Sequence, residues 1–196
     1  MNLWKQIVWA VAVSALGSSL IPAYAAAPTG WLVAGSAPKD YEFGTDAAAS
    51  RNGGKAAYIK SIAPNSSGFG TLMQNVSPER YAGRRVRLSA GMRTSDAIRG
   101  QMWLRIDGSD NKPLAFDNMA ARPATGTTEW QRYEIVLDVP AAAKNIAFGF
   151  FLFGTGMVWA DDFTLEIVDR TVPLTVSTRP PETSRPLQPS NASFEE

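Results

Sequence analysis

The 196-residue chain contains neither cysteine nor histidine. Without cysteine it has no disulfide staples, so stability must come from a packed core. Without histidine it has no Ser-His-Asp or Cys-His catalysis, few routes to a zinc site and no usual proton shuttle. A charge excess is missing as well: 19 Lys+Arg stand against 18 Asp+Glu, a net +1. A nucleic-acid binder needs a basic face to displace counterions, and this balance argues against one. Apart from the first residues, no run of apolar residues at a 3.6-residue period is found, so amphipathic helices are not expected.

The N-terminus reads as a secretory leader. Lys5 supplies the positive charge, Ile7 to Leu20 forms the apolar run, and Ala23-Tyr24-Ala25 fits the small-x-small cleavage pattern. Cleavage is expected after Ala25, which makes residues 1–25 a signal peptide and the product periplasmic or secreted. An uncleaved anchor is the alternative, but the apolar run is short for a membrane span. No cysteine adjoins the cleavage point, which excludes a lipid-anchored form. Lys5 leaves with the leader, so the remaining Lys+Arg equal the 18 Asp+Glu.

From residue 26 to 170 the chain reads as a single all-β domain. Short alternating runs are punctuated by Gly, Asn, Asp and Pro. Strands are expected at 31–35, 55–63, 69–75, 85–93, 101–107, 113–116, 131–139, 145–153 and 157–168. Turn signals stand between them at Asn52-Gly53-Gly54, at 107–111 and at Gly154-Thr155-Gly156. So many strands in this length predict a two-sheet antiparallel β-sandwich of the jelly-roll type. The alternation assigns faces. Val86, Leu88, Ala90 and Met92 share one face, as do Tyr133, Ile135, Leu137 and Val139. Ile146, Phe148, Phe150 and Leu152 form another, with Phe151 and Phe153 opposite, so that strand is expected to be covered on both sides. In the last strand, period-two counting puts Trp159, Asp161, Phe163, Leu165 and Ile167 on the core face. Residues 171–189 are rich in Pro, Ser and Thr and read as an extended linker.

Several motifs then carry a resemblance. These are Gly68-Phe69-Gly70-Thr71-Leu72-Met73-Gln74, Arg84-Arg85-Val86-Arg87-Leu88-Ser89, Phe116-Asp117-Asn118-Met119 with Arg122-Pro123, Gly126 to Tyr133, and Val158-Trp159-Ala160-Asp161-Asp162. Together they resemble galactose-binding-like, carbohydrate-binding-module-like jelly-roll accessory domains, which are appended to bacterial AraC-type regulators and to secreted hydrolases. Unlike the regulators, this sequence shows no helix-turn-helix segment and carries the leader. The resemblance implies a jelly roll and no settled activity. It also implies a rotated order. An Asn-x-x-Phe-Glu strand usually opens such modules, with a Gly-Trp segment following. Here Gly30-Trp31 comes early and Asn191-Ala192-Ser193-Phe194-Glu195 comes last. Residues 190–196 are therefore expected to be a strand that completes this sandwich or a neighbour's.

Candidate ligand-binding residues follow from the alternation. Met102, Leu104 and Ile106 point one way, leaving Trp103, Arg105 and Asp107 on the outer face. An aromatic plane beside a guanidinium suits a sugar, by stacking and by hydrogen bonds to hydroxyls. The other reading covers Trp103 with a loop and pairs Arg105 with Asp107 or another carboxylate. Asp117, Asn118 and Arg122 crowd a loop where they converge on a polar ligand or, equally, cap the turn through the backbone. An inward Asp161 must be paired, hydrogen-bonded or metal-bound. By the resemblance, Asp161 and Glu195 would share a structural calcium ion with carbonyls of the Asn52–Lys55 turn. The alternative is Asp161 bonded to backbone amides or paired with an arginine.

The expectation is thus an exported, non-catalytic, ligand-binding β-sandwich whose ligand is a glycan or another small polar molecule. It would use Trp103, Arg105, Asp117, Asn118 and Arg122, with no cofactor beyond the calcium ion and no membrane span after cleavage. A structural protein acting through its sheet edges is the alternative, as a monomer or a strand-swapped homo-oligomer. A glycoside hydrolase using two carboxylates is a third reading.

Overall fold

Alternation of apolar residues, strong in the sequence, becomes two packed antiparallel sheets. The computed structural model describes residues 27–51, 53–109 and 112–175. The leader, most of the Pro-rich segment and residues 190–196 lie outside the described residues. The strands are β1 (Leu32–Gly35), β2 (Tyr41–Asp46), β3 (Ala56–Ser61), β4 (Phe69–Val76), β5 (Arg85–Asp107), β6 (Pro113–Asp117), β7 (Ala124–Asp138), β8 (Asn145–Phe153) and β9 (Met157–Val168). Among the described residues there is no α-helix, and a 3-10 turn stands at Pro38–Asp40. No described helix is long and apolar enough to cross a membrane.

β5 is the spine. The sequence predicts two strands, 85–93 and 101–107, but a single bent strand continues through all 23 residues. Its first half pairs with β7 on one side and β9 on the other. Its second half pairs with β8 and β6. Between Met92 and Gly100 the register with β7 shifts repeatedly, and Asp96 takes a positive φ of 48°. Such irregularities bend a strand and sharpen its twist. β5 thereby passes from one sheet to the other. The first sheet runs β1-β4-β8-β5-β6 and the second β7-β5-β9-β3-β2.

The core lies between them. Val86, Leu88, Ala90 and Met92 from the first half of β5 and Met102, Leu104 and Ile106 from the second are fully buried. Ile146, Phe150 and Leu152 of β8 and Ile135 and Leu137 of β7 meet them as the alternation requires. β2 is absent from the sequence reading. Tyr41 and Phe43 alternate into the core, yet Asp40, Gly44 and Asp46 punctuate so short a segment that its period is hard to see. Tyr41 is fully buried and its hydroxyl lies 2.7 Å from the Gly68 carbonyl and 3.1 Å from that of Gly154, which ties β2 to two loops.

β9 corrects a second expectation. Val158 and Ala160 enter the main core, whereas Trp159 joins a separate cluster with Ala49 and Ala56 on the outside of the second sheet. Beyond Asp162, which has a φ of +56°, the phase reverses and Phe163 and Leu165 pack on the core. The pairing with β5 shifts at the same place, between Ser89 and Gly91. The extra residue of this bulge is what strict period-two counting omits. Trp159 therefore faces out, with Arg93 4.3 Å over its ring and its indole N–H donating to Asp46 at 3.0 Å.

Gly149 sits in the centre of the first sheet, paired with Met73 on β4 and Trp103 on β5. A Cβ there would meet the Leu72 carbonyl oxygen and come within 2.9 Å of Met73 Cα. These are backbone atoms and cannot rotate aside. Gly149→Ala is expected to cost about 1–3 kcal/mol by overpacking, read as a lower denaturant midpoint with an unchanged m-value.

Candidate functional site

The outer faces of the two sheets differ in kind. On the second sheet, the outer face around Arg87 is charged and solvated, with Arg87 2.8 Å from Glu166 and 3.7 Å from Glu134, while the Trp159 cluster covers the part next to β3. Exposed pairs of this sort contribute little, and they make a water-facing surface. The corresponding face of the first sheet is aromatic and concave. Odd-numbered residues of β5 and β8 and residues of β4, β1 and β6 line a groove of about 650 Å³.

Strand order assembles this groove. Because β8 lies between β4 and β5, Phe69 and Phe151 are brought together, their rings 5.3 Å apart. Arg99 of β5 lays its guanidinium 4.2 Å over the Phe153 ring. Trp103 on β5 donates its indole N–H to Thr71 Oγ1 on β4, 3.0 Å away. The indole thus spans β8, a reach of two strand spacings or about 9.6 Å. Gly149, having no side chain, leaves that path clear. Thr71 passes the chain of hydrogen bonds on to the Phe150 carbonyl at 2.8 Å. At 8% exposure, Trp103 forms the floor of the groove. The accessible aromatic edge is Phe116 on β6, which is 46% exposed.

Polar groups are set among these rings. Arg105 borders the groove, and its Nε lies 2.8 Å from Asp107 Oδ1. Asp107 is buried and also accepts from Asn145 Nδ2 at 3.3 Å. This buried carboxylate balances the Arg105 charge from below. Gln101, almost wholly buried, donates its amide to the Asn118 carbonyl at 2.7 Å and so fixes the β6 wall to the β5 floor. Asn118 lines the groove while its Oδ1 accepts from the Ala120 amide at 3.2 Å.

Of the five ligand-binding residues read from the sequence, the structure brings Trp103, Arg105 and Asn118 to the groove and not Asp117 or Arg122. Asp117 is 5% exposed and its partners are all within the protein. It accepts from Arg122 Nη2 at 2.6 Å, Thr175 Oγ1 at 2.6 Å and the Met119 amide at 2.8 Å. Arg122 Nη2 also lies 3.3 Å from the Glu134 carbonyl. The pair ties the loop after β6 to β7 and to the segment after β9. Burial would raise the Asp117 pKa, but hydrogen bonds from Arg122, Thr175 and the Met119 amide, with the Arg122 charge, outweigh it and hold the carboxyl below its usual value. Arg99, Gln101, Phe69, Phe116, Phe151 and Phe153 are groove residues the sequence reading did not assign. Arg99 and Gln101 share the face of Trp103 by simple period-two counting, so that signal was present.

Asp161 sits at the β9 bulge. Its Oδ2 accepts from the Arg51 amide at 3.2 Å and its Oδ1 from the Asp162 amide at 2.8 Å. The Arg51 guanidinium lies 3.5 Å from the neighbouring Asp162. Among the described residues no three Asp, Glu, His or Cys residues gather as a metal site. Calcium needs six or more oxygen ligands. Of the two carboxylates expected for it, Asp161 is the one among the described residues. Glu195, the other carboxylate expected there, lies outside the described residues.

With the groove defined, likeness to known proteins can be placed. The chain is 41% identical over 169 residues to the uncharacterized HTH-type transcriptional regulator YbfP of Bacillus subtilis (strain 168). That match covers 85% of this chain but spans only 57% of the regulator's length. No family model matches. Among solved structures, the CBM22-1 xylan-binding domain of Paenibacillus barcinonensis Xyn10C superposes with a TM-score of 0.55 at 9% identity, over 74% of this chain and 90% of that one. The C-terminal family 22 carbohydrate-binding module of Clostridium thermocellum Xyn10B gives 0.52 at 11% identity, over 71% and 86%. The enzymatically active domain of the bacteriophage CBA120 tailspike protein 4 gives 0.54 at 13%, over 71% of this chain but 20% of that one. At such identities the likeness defines the fold. The chain is a jelly-roll β-sandwich.

Proposed function

We propose that this protein is an exported, non-catalytic carbohydrate-binding module and that the groove on the first sheet is its binding site. The observation that carries the reading is the pairing of aromatic faces with fixed polar groups on one concave sheet face. Sugar rings present apolar C–H patches that stack on aromatic carbons, and rims of hydroxyls that need donors and acceptors. Phe116, Phe151 and Phe153 offer the former; Arg99, Arg105 and Asn118 offer the latter. Arg99 and Arg105 are already held, by Phe153 and by Asp107, so little entropy is lost when they meet a ligand. The fold likeness to a xylan-binding domain supports a glycan as ligand. The match to a longer HTH-type regulator supports a portable recognition module that serves different hosts. Periplasmic or secreted placement rests on the leader sequence.

Phe116→Ala tests the reading with little risk to folding, because the ring is substantially exposed. Removal of one stacking ring is expected to weaken binding of a recognised oligosaccharide by roughly tenfold to a hundredfold, in line with anchor residues costing about 1–3 kcal/mol on truncation. Thermal stability should remain within about 0.5 kcal/mol of the parent. Titration followed by tryptophan fluorescence is suitable because Trp103 floors the groove. Unchanged affinity in this variant and in Arg99→Ala would remove the groove as the site.

A further inference from the structure

We propose that residues 190–196 form a strand that pairs with the open edge of β9 and inserts Phe194 into the cavity beneath it. The open edge comes first. β5 accompanies β9 from Met157 to Val168 on one side. On the other side β3 accompanies it only from Met157 to Ala160. From Phe163 to Val168 that second side has no strand partner among the described residues. A run of unpaired N–H and C=O groups within a sheet is a template for one more strand.

Beneath this edge, between the sheets, lies a cavity of about 360 Å³. Its apolar walls include Trp31, Phe148, Phe163 and Leu165. Trp31 stands 5.0 Å from Phe163 and meets Phe148 edge-on at 6.2 Å. Phe163 and Leu165 pack on the core yet are only half-buried, on the side where the neighbouring strand is lacking. An aromatic cage with one open side, next to a strand edge, fits an extended segment that points an aromatic side chain inward.

The chain supplies one such segment. After β9 it returns to the outer edge of β7, where the Thr175 amide donates to the Val136 carbonyl at 3.1 Å and Thr175 Oγ1 accepts from the Val136 amide at 2.9 Å. From Thr175, one spacing outside β7, to the slot beyond β9 is four strand spacings, about 19 Å. Residues 176–189, at about 3.1 Å each in an extended proline-rich chain, reach roughly 40 Å. Pro180, Pro181, Pro186 and Pro189 break this stretch, and proline cannot donate to a ladder. Beyond Pro189, Ser190 to Glu196 is free of proline and carries a single aromatic, Phe194. The tether holds that segment at high effective concentration, which favours its own sandwich over a neighbour's.

Hydrogen exchange on the full chain tests this, compared with a chain ending at Pro189 and with Phe194→Ser, with size-exclusion chromatography alongside. Expected is a monomer in which the amides of 163–168 that point away from β5 are protected. In both variants they should exchange at least about a hundredfold faster, while β8 amides keep their protection. Equal exchange of those amides in all three chains would overturn the proposal. So would protection that disappears only together with a dimer, since the strand would then come from a second copy. Protection that survives loss of 190–196 but not removal of the residues before Ala27 would also overturn it, by giving the slot to the N-terminal segment.

Discussion

Replacing Asp117 with alanine is expected to lower stability by about 3 kcal/mol, because three donors lose a buried acceptor at about 1 kcal/mol each. Arg122 would lose its 2.6 Å partner, and Thr175 Oγ1 and the Met119 amide would lose their acceptor. In a domain of this size each kcal/mol lowers Tm by about 2–4 °C, so a fall of roughly 10 °C should be seen by calorimetry. The pH dependence has a definite sign. Asp117 titrates in the fold below its ordinary value of 3.8. The unfolded chain therefore takes up the proton first as pH falls. The stability contributed by the pair is complete above the unfolded pKa and is lost as pH drops through the folded one. Asp138, held down chiefly by the hydrogen bond from Arg85, acts in the same direction. Asp117→Asn should flatten part of the acid limb of stability against pH. An acid limb identical to the parent's would contradict the role assigned to Asp117.

Trp103→Ala should cost about 3–5 kcal/mol, the range for deleting a large buried aromatic. The indole is 8% exposed and its N–H is bonded across β8 to Thr71. Truncation leaves a hole along the groove floor and removes the donor to Thr71 Oγ1. The variant is expected to unfold at clearly lower denaturant and to bind weakly for two reasons at once, lost contact and a loosened floor. Trp103→Phe separates them: it keeps most of the buried area, drops the N–H, and should cost about 1–2 kcal/mol. A Trp103→Ala protein as stable as the parent would mean that the indole is not the floor described. Phe116, on the rim, is the residue whose loss reports on binding alone.

Much of the fold was legible because period-two alternation survives wherever a strand runs straight. The faces of β8, of β7 from Gln131 onward and of both halves of β5 are the ones the sequence assigns. Legibility failed where the backbone departs from simple pleating. The bulge at Asp161–Asp162 turns Trp159 outward, and no local signal marks it. The bend of β5 near Asp96 looked like a loop because Arg93 to Arg99 is largely polar. β2 was hidden because Asp40, Gly44 and Asp46 break up its alternation.

The site was legible to the same extent. Counting along one strand placed Trp103 and Arg105 on an outer face, where the groove has them. It could not supply Phe69, Phe151 and Phe153, whose convergence depends on β8 lying between β4 and β5. Nor could it separate Asn118, on the groove, from Asp117, one residue earlier and turned inward. Alternation reverses the two, but whether Arg122 comes back to meet Asp117 is decided by the loop between them.

The most direct test of the central claim is affinity electrophoresis of the protein through a panel of polysaccharides, xylans included, with Phe116→Ala and Arg99→Ala run beside it. Retardation by at least one polymer, weakened in both variants, is the predicted result and would fix the groove as a glycan-binding site. Migration unaffected by every polymer, or retardation that both variants retain in full, would contradict it.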